Sequence, residues 1–185
     1  MRADARRNRD AILKVAADAF ARDGSEASLE AIAREAGVGI GTLYRHFGNR
    51  DELGLAVYQQ DFDDLCTQAQ LLADTLPPGE ALRQWMIRFA RHGRTKRGLI
   101  DVLDRVRNTP EQVDQFAANR QQLAGAAKML LDAAAAAGVV RSDIEPADVT
   151  TNIHGICAAN RAAAEDRSER AVNLLFDGMR YGVQR

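Results

Sequence analysis

The chain has 185 residues, 46% hydrophobic and 28% charged, with four prolines and a formal net charge of −1. This is room for one ordinary domain, or for a small and a medium one, in the composition range of soluble globular proteins. No apolar run approaches the roughly 20 residues that a bilayer span needs, which excludes a transmembrane helix.

In chain order, the first ten residues bring Arg2, Arg6, Arg7 and Arg9 with no apolar stretch behind them. That pattern is not a signal peptide, and a cytoplasmic protein is expected. Residues 1–50 hold nine Lys/Arg against seven Asp/Glu, and the rest sixteen against nineteen. Placement matters more than these balances: a basic arm at the start and a second cluster at Arg45, His46 and Arg50.

Apolar residues recur at helical spacing almost throughout, and alternating β-branched runs are absent. Ile12, Ala16, Ala19 and Phe20 share one face of a first helix that fades at Asp23-Gly24. Ser28 can cap a second helix, Leu29 to Ala36, that Gly37 ends. A third runs from about Ile40 to Phe47 with Leu43 and Phe47 inward, and Gly48-Asn49 breaks it. Asp51-Glu52 suits the first turn of a long fourth helix, whose stripe Leu55, Tyr58, Phe62, Leu65, Ala69 and Leu72 stops at Pro77-Pro78-Gly79. Helix five carries Leu82, Trp85, Met86, Phe89 and Ala90. Helix six follows Arg94 with Leu99, Leu103 and Val106. Thr109-Pro110 opens a seventh reaching Gly138, Pro146 opens an eighth, and Ser168 opens a ninth. The expected fold is all-α with about nine helices. Residues 1–50 are expected to form an N-terminal three-helix domain, and residues 51–185 a larger helical-bundle domain.

Two short helices joined by a glycine-containing turn are the helix-turn-helix unit, whose second helix must present side chains to base edges in the major groove. With Leu43 and Phe47 committed to the core, Thr42, Tyr44, Arg45 and His46 are left toward solvent. Hydroxyl, imidazole and guanidinium groups in one patch suit phosphates and base edges. An Arg fork suits guanine O6/N7. The plainer reading makes Tyr44 a packing residue and Arg45 and Arg50 solvated charges.

The stretch from Ser28 through Gly37-Val38-Gly39-Ile40-Gly41-Thr42-Leu43-Tyr44-Arg45-His46-Phe47 to Asp51-Glu52-Leu53, preceded by Ala19-Phe20-Ala21-Arg22-Asp23-Gly24, resembles the DNA-binding signature of the TetR (tetracycline repressor) family over about residues 10–58. The resemblance implies that Thr42 and Tyr44 lie at the DNA surface and that His46 contacts a phosphate. It also implies that Ser28 both caps its helix and bonds a phosphate. Arg50 stands where the family often has a lysine that ties the fourth helix to the DNA backbone. Gly39-Ile40-Gly41 departs from relatives that often carry a polar or charged residue there, and reduces the number of base contacts. The function implied is a repressor that binds a palindromic double-stranded operator as a dimer and is released by a small-molecule effector.

The last two helices are the expected dimer interface. Gly155, Ala158, Ala159 and Ala162, with Gly178 and Gly182, allow close backbone approach, and Leu174, Leu175 and Met179 add apolar area. The resemblance implies the same elements. Candidate effector contacts are Trp85, Met86, Phe89, His92, Phe116, Met129, His154 and Asn160, although such residues at helical spacing are as readily plain core. Neither cofactor nor metal is expected, since His46 has no second ligand three or four residues away and Cys66 and Cys157 stand in no CxxC. The cysteines read as small buried hydrophobes, with a redox-sensing pair as the alternative. Two other functions compete. One is a small enzyme using His92 or His154, which lacks any paired catalytic spacing. The other is an interaction module that kept the motif without binding DNA.

Overall fold

The computed structural model describes residues 2–106, 109–159 and 165–181. Nine α-helices and one 3-10 turn make up its regular structure among these residues: α1 Arg2–Asp23, the 3-10 turn Gly24–Glu26, α2 Leu29–Glu35, α3 Ile40–Phe47, α4 Arg50–Thr75, α5 Pro78–Gly98, α6 Ile100–Val106, α7 Pro110–Ala136, α8 Pro146–Ala159 and α9 Glu165–Arg180. The fold is all-α, as the periodicity requires. The basic arm belongs to α1, which starts at Arg2.

The chain forms two compact units, one of residues 1–62 and 94–114, the other of residues 63–93 and 115–185. The first unit has a core of Ile12, Ala16 and Phe20 from α1, Leu29 and Ile32 from α2, Leu43 and Phe47 from α3, Leu53 and Val57 from α4, and Leu99, Val102 and Leu103 around α6. Helices α1, α2 and α3 pack on one another pairwise. Glycine ends both short helices: Gly37 at φ 71° and Gly48 at φ 63° turn the chain through left-handed conformations that a Cβ disfavours.

Several boundaries differ from the sequence reading. Helix α5 runs past Arg94 to Gly98, and the break before α6 falls at Leu99. At that break a Cβ on Gly98 would lie 2.1 Å from the Phe20 carbonyl oxygen, so only glycine fits against α1 here. On α4, Leu55 is only half-buried, and Leu53 and Val57 carry the first turns of the buried stripe instead. Ser168 lies inside α9 and is buried, since that helix starts at Glu165.

The second unit packs Leu65, Ala69 and Leu72 of α4 with Leu82, Trp85, Met86 and Phe89 of α5, Leu123, Ala127, Leu130 and Leu131 of α7, Val149, Ile153 and Cys157 of α8, and Val172, Phe176 and Met179 of α9. Trp85 is its largest fully buried side chain, and its indole N–H donates to the Leu65 carbonyl at 3.2 Å. That bond satisfies the ring's one polar atom, which burial would otherwise strand. No helix among the described residues is long and apolar enough to cross a membrane.

Candidate DNA-binding site

Local signals build the α2–turn–α3 unit. The Ser28 hydroxyl accepts a hydrogen bond from the Ala31 N–H at 3.2 Å and so caps α2. Beyond α2, the Gly37 and Val38 N–H groups return to the Arg34 and Ala33 carbonyls at 3.1 and 2.9 Å, closing a tight turn. Helix α3 follows with Leu43 and Phe47 buried and the other face outward. Arg9 of α1 lies 5.5 Å above the Phe47 ring, so one cation of the basic arm braces α1 against α3.

The outward face gathers what the sequence pointed to. Ser28, Gly39, Ile40, Gly41, Tyr44 and Arg45 are exposed, and Thr42, His46 and Arg50 are half-buried. Tyr44 is 45% exposed, which separates it from the core partners Leu43 and Phe47. Arg45 does not extend freely into solvent. Its Nε donates to the Gly41 carbonyl at 3.1 Å and its Nη2 to the Thr42 hydroxyl at 3.0 Å. The guanidinium is thus drawn back over the first turn of α3, with its remaining N–H groups available. His46 stands 6.0 Å from the Phe47 ring.

Sequence reasoning missed the support behind this face. Asp51, in the first turn of α4, pairs through both carboxylate oxygens with Arg105 of α6, at 3.0 and 2.5 Å. The Arg105 hydrogen bond holds the Asp51 carboxyl below the usual carboxylate range, with partial burial opposing it and the charges of Arg105 and Arg50 adding to it. Fifty-four positions separate the partners, and no local spacing rule reaches that far.

In the second unit, Trp85, Met86, Phe89 and His92 are buried, Phe116 and Met129 are half-buried, and His154 is exposed. Phe89 joins several of them: its ring centroid lies 5.5 Å from Trp85, 6.5 Å from His92 and 5.1 Å, edge-on, from His154. Asn160, Ala162 and Gly182 lie outside the described residues. A cleft of about 350 Å³ opens elsewhere, between Arg141–Ile144 and helices α8 and α9. Asp148, Val149 and Asn152 line one side and Leu174, Leu175, Gly178 and Met179 the other, and none of the expected effector contacts reaches it. Among the described residues no group of three His, Cys, Asp or Glu side chains is placed to hold a metal ion. Cys157 is buried, as a small hydrophobe would be, whereas Cys66 is only half-buried. Burial, with Asp63 adding to it, still pushes the Cys66 thiol up to about 11.

Comparison with known proteins agrees with the geometry. Residues 12–57 match the bacterial regulatory proteins of the tetR family, and residues 77–181 match the SbtR-like transcriptional regulator C-terminal domain. An HTH-type transcriptional regulator of Staphylococcus aureus (strain USA300) is 41% identical over 75 residues, and in that match the chain spans 40% of the relative's length and 40% of its own. A TetR transcriptional regulator from Streptomyces coelicolor, 40% identical, overlays 93% of this chain on 98% of its own with a TM-score of 0.81. A TetR regulatory protein from Mycobacterium vanbaalenii, 34% identical, overlays 97% of this chain on 98% of its own with a TM-score of 0.78. A helix-turn-helix with a polar outward face, matched along nearly the whole chain by such relatives, makes this protein a member of the TetR family of DNA-binding transcriptional regulators.

Proposed function

We propose that the protein is a cytoplasmic repressor, not an enzyme, that binds a palindromic operator as a homodimer and leaves it when a small-molecule effector binds. The observation that carries this reading is the division of α3 into a buried pair, Leu43 and Phe47, and an outward set of Thr42, Tyr44 and Arg45. A helix seated so firmly and armed with polar groups only on its far side suits entry into a major groove. Ser28, His46 and Arg50 flank that set and are assigned to phosphates; Gly39, Ile40 and Gly41 form the turn that meets the groove. In functional terms, residues 1–50 are the DNA-binding domain and 51–185 the sensing and dimerising domain.

Dimerisation is assigned to α8 and α9. Gly155, Ala158, Ala159 and Gly178 are exposed there, and Leu174 is 73% exposed beside the half-buried Leu175. Small residues and an unburied leucine on neighbouring helices favour close packing against a two-fold copy. Two recognition helices one turn of DNA apart, about 34 Å, then read successive grooves. The effector is assigned to the group around Phe89, with Trp85, Met86, His92, Phe116, Met129, His154 and Asn160 as candidate contacts. Effector release requires a differential affinity between two states, and a coupling of about 1–3 kcal/mol already changes operator affinity roughly 5–150-fold.

Fluorescence anisotropy against the intergenic DNA beside the protein's own gene tests the reading, at several salt concentrations and with nonspecific competitor. Binding is expected to survive competitor and to fall steeply with salt as counterions return to the phosphates. It should vanish in a Tyr44→Ala/Arg45→Ala double variant. Failure there, and in a selection from random DNA, would favour an interaction module.

A further inference from the structure

Gly39 caps α3 and Gly41 lies in its first turn, and neither backbone conformation nor packing requires a glycine at either position. Gly39 sits at φ −72° and ψ 148°, an extended conformation open to any residue. Neither residue is among the glycines with positive φ. A Cβ built on either meets no atom within 4 Å, whereas one on Gly98 would strike backbone. Both positions are exposed. Gly41 weakens the short helix, because glycine inside a helix orders more backbone than alanine does, whereas Gly39 at the cap falls only slightly short of a side-chain cap. Indeed α3 has no side-chain cap, while α2 takes one from Ser28.

Open space beside Gly41, where the fold would gain from alanine, leaves room for the close approach of a body outside the chain. Resting on the DNA-binding reading of α3, we infer that the Gly39-Ile40-Gly41 backbone lies against the major-groove edge more closely than a Cβ would permit, and that Arg45 reads a guanine in each half-site from beside it. Two further observations support the second clause. Within Ile40–Phe47, Arg45 is the only Arg, Lys, Asn, Gln, Asp or Glu, so the amide side chains that pair with adenine are missing from this helix. Its bonds to the Gly41 carbonyl and the Thr42 hydroxyl engage Nε and one N–H of Nη2, and point the guanidinium toward the end of α3 that enters the groove. Nη1 and the second N–H of Nη2 remain as a fork matched to guanine O6 and N7. Holding the fork in place before binding reduces the ordering cost of using it.

The test takes the full chain through selection from random duplex DNA, then compares Gly41→Ala, Gly39→Ala and Arg45→Ala on the selected site and on a scrambled duplex. Gly41→Ala is expected to melt at a higher temperature than the wild type. It should nevertheless bind the selected site at least about tenfold more weakly, with scrambled-duplex binding little changed; Gly39→Ala should show the same loss of site affinity. Arg45→Ala should tolerate all four bases at one symmetry-related position that is guanine for the wild type, and keep its preferences elsewhere. Gly41→Ala and Gly39→Ala that both bind like the wild type would overturn the close approach. A lower melting temperature for Gly41→Ala would overturn the premise that the fold does not need the glycine. An Arg45→Ala loss that is uniform across sequences would reassign Arg45 to a phosphate. If selection returns nothing and no duplex is bound in a salt-dependent way, the DNA-binding reading itself fails, and this inference with it.

Discussion

The Asp51 carboxylate receives Nε and Nη2 of Arg105 at 3.0 and 2.5 Å, which ties the first turn of α4 to α6 within the unit that holds α3. Asp51 follows Arg50, the residue proposed to meet a phosphate, so the pair would hold the turn that carries Arg50 without itself touching DNA. Its pH dependence follows from the lowered Asp51 value. A depressed carboxyl contributes stability above its unfolded value, about 3.9, and the contribution is lost as the pH falls through the folded value. Asp51→Asn is therefore expected to lower the melting temperature at pH 7, with the gap to the wild type closing toward pH 3. Both side chains are more than a third exposed, so the effect should be modest and shrink in 1 M salt. A gap unchanged across that pH range would show that packing, not charge, is what the substitution disturbs.

Two glycine-to-alanine changes should move stability in opposite directions. On Gly98 the new Cβ would meet the Phe20 carbonyl carbon and oxygen at 2.7 and 2.1 Å, and backbone cannot step aside as a flexible side chain can. Overpacking of this kind costs about 1–3 kcal/mol. Gly125 lies exposed within α7, with nothing within 4 Å of its Cβ position, so alanine there should stabilise by about 0.5–1 kcal/mol. Chemical denaturation midpoints of both variants measure the difference. Equal and small shifts would refute the close approach at Gly98.

Ser28→Ala separates two duties assigned to one hydroxyl. Loss of its bond from the Ala31 N–H should cost about 1 kcal/mol of stability, as for other N-caps. If the hydroxyl also meets a phosphate, operator affinity should fall further than the stability loss explains. A glycine substitution, which spares most of the cap energy, should lose the same DNA affinity with less loss of stability.

What could be read in advance was what short-range rules govern. Ser28, Gly37 and Gly48 set the limits of α2 and α3, and the spacing of Leu43 and Phe47 fixed which face of α3 turned inward. The recognition face followed because eight residues with two committed to the core leave few choices. Long-range relationships were not legible. The need for glycine at position 98 comes from Phe20, seventy-eight positions earlier, and Asp51 gives no local sign of Arg105. Large or polar residues on an apolar stripe suit core packing and effector contact equally, and Trp85 and Met86 are wholly buried; a cleft lies among Arg141–Ile144, α8 and α9. Its lining comes from three separate stretches, and no periodicity within one helix could have assembled it.

Cys66 should be a slow thiol. With its value pushed up to about 11, the thiolate fraction at pH 8 is lower than that of an ordinary cysteine by roughly two orders of magnitude. Cys157 is buried, and its thiol reaches the Ala90 carbonyl at 3.5 Å. Iodoacetamide should therefore label the native protein slowly at pH 8, faster above pH 10, and rapidly at both sites once it is denatured. Rapid native labelling at pH 8 would revive the redox-sensing alternative.

Leu174 offers the sharpest test of the proposed dimer. At 73% exposure it contributes little to the fold of its own chain, so any effect of Leu174→Glu should come through an interface. A carboxylate placed on the two-fold surface would have to be buried opposite its own copy, where desolvation and like-charge repulsion both oppose association. Analytical ultracentrifugation should then find a monomer where the wild type sediments as a dimer. Binding to a palindrome should weaken far more than binding to a half-site. A second recognition helix on the same body acts at millimolar effective concentration, and its loss removes about 10²–10⁴-fold in avidity. The half-site, read by one α3, should be bound equally by both proteins. A Leu174→Glu protein that remains dimeric would move the interface off this part of α9, and one that is monomeric yet binds the palindrome at full strength would remove the need for a dimer.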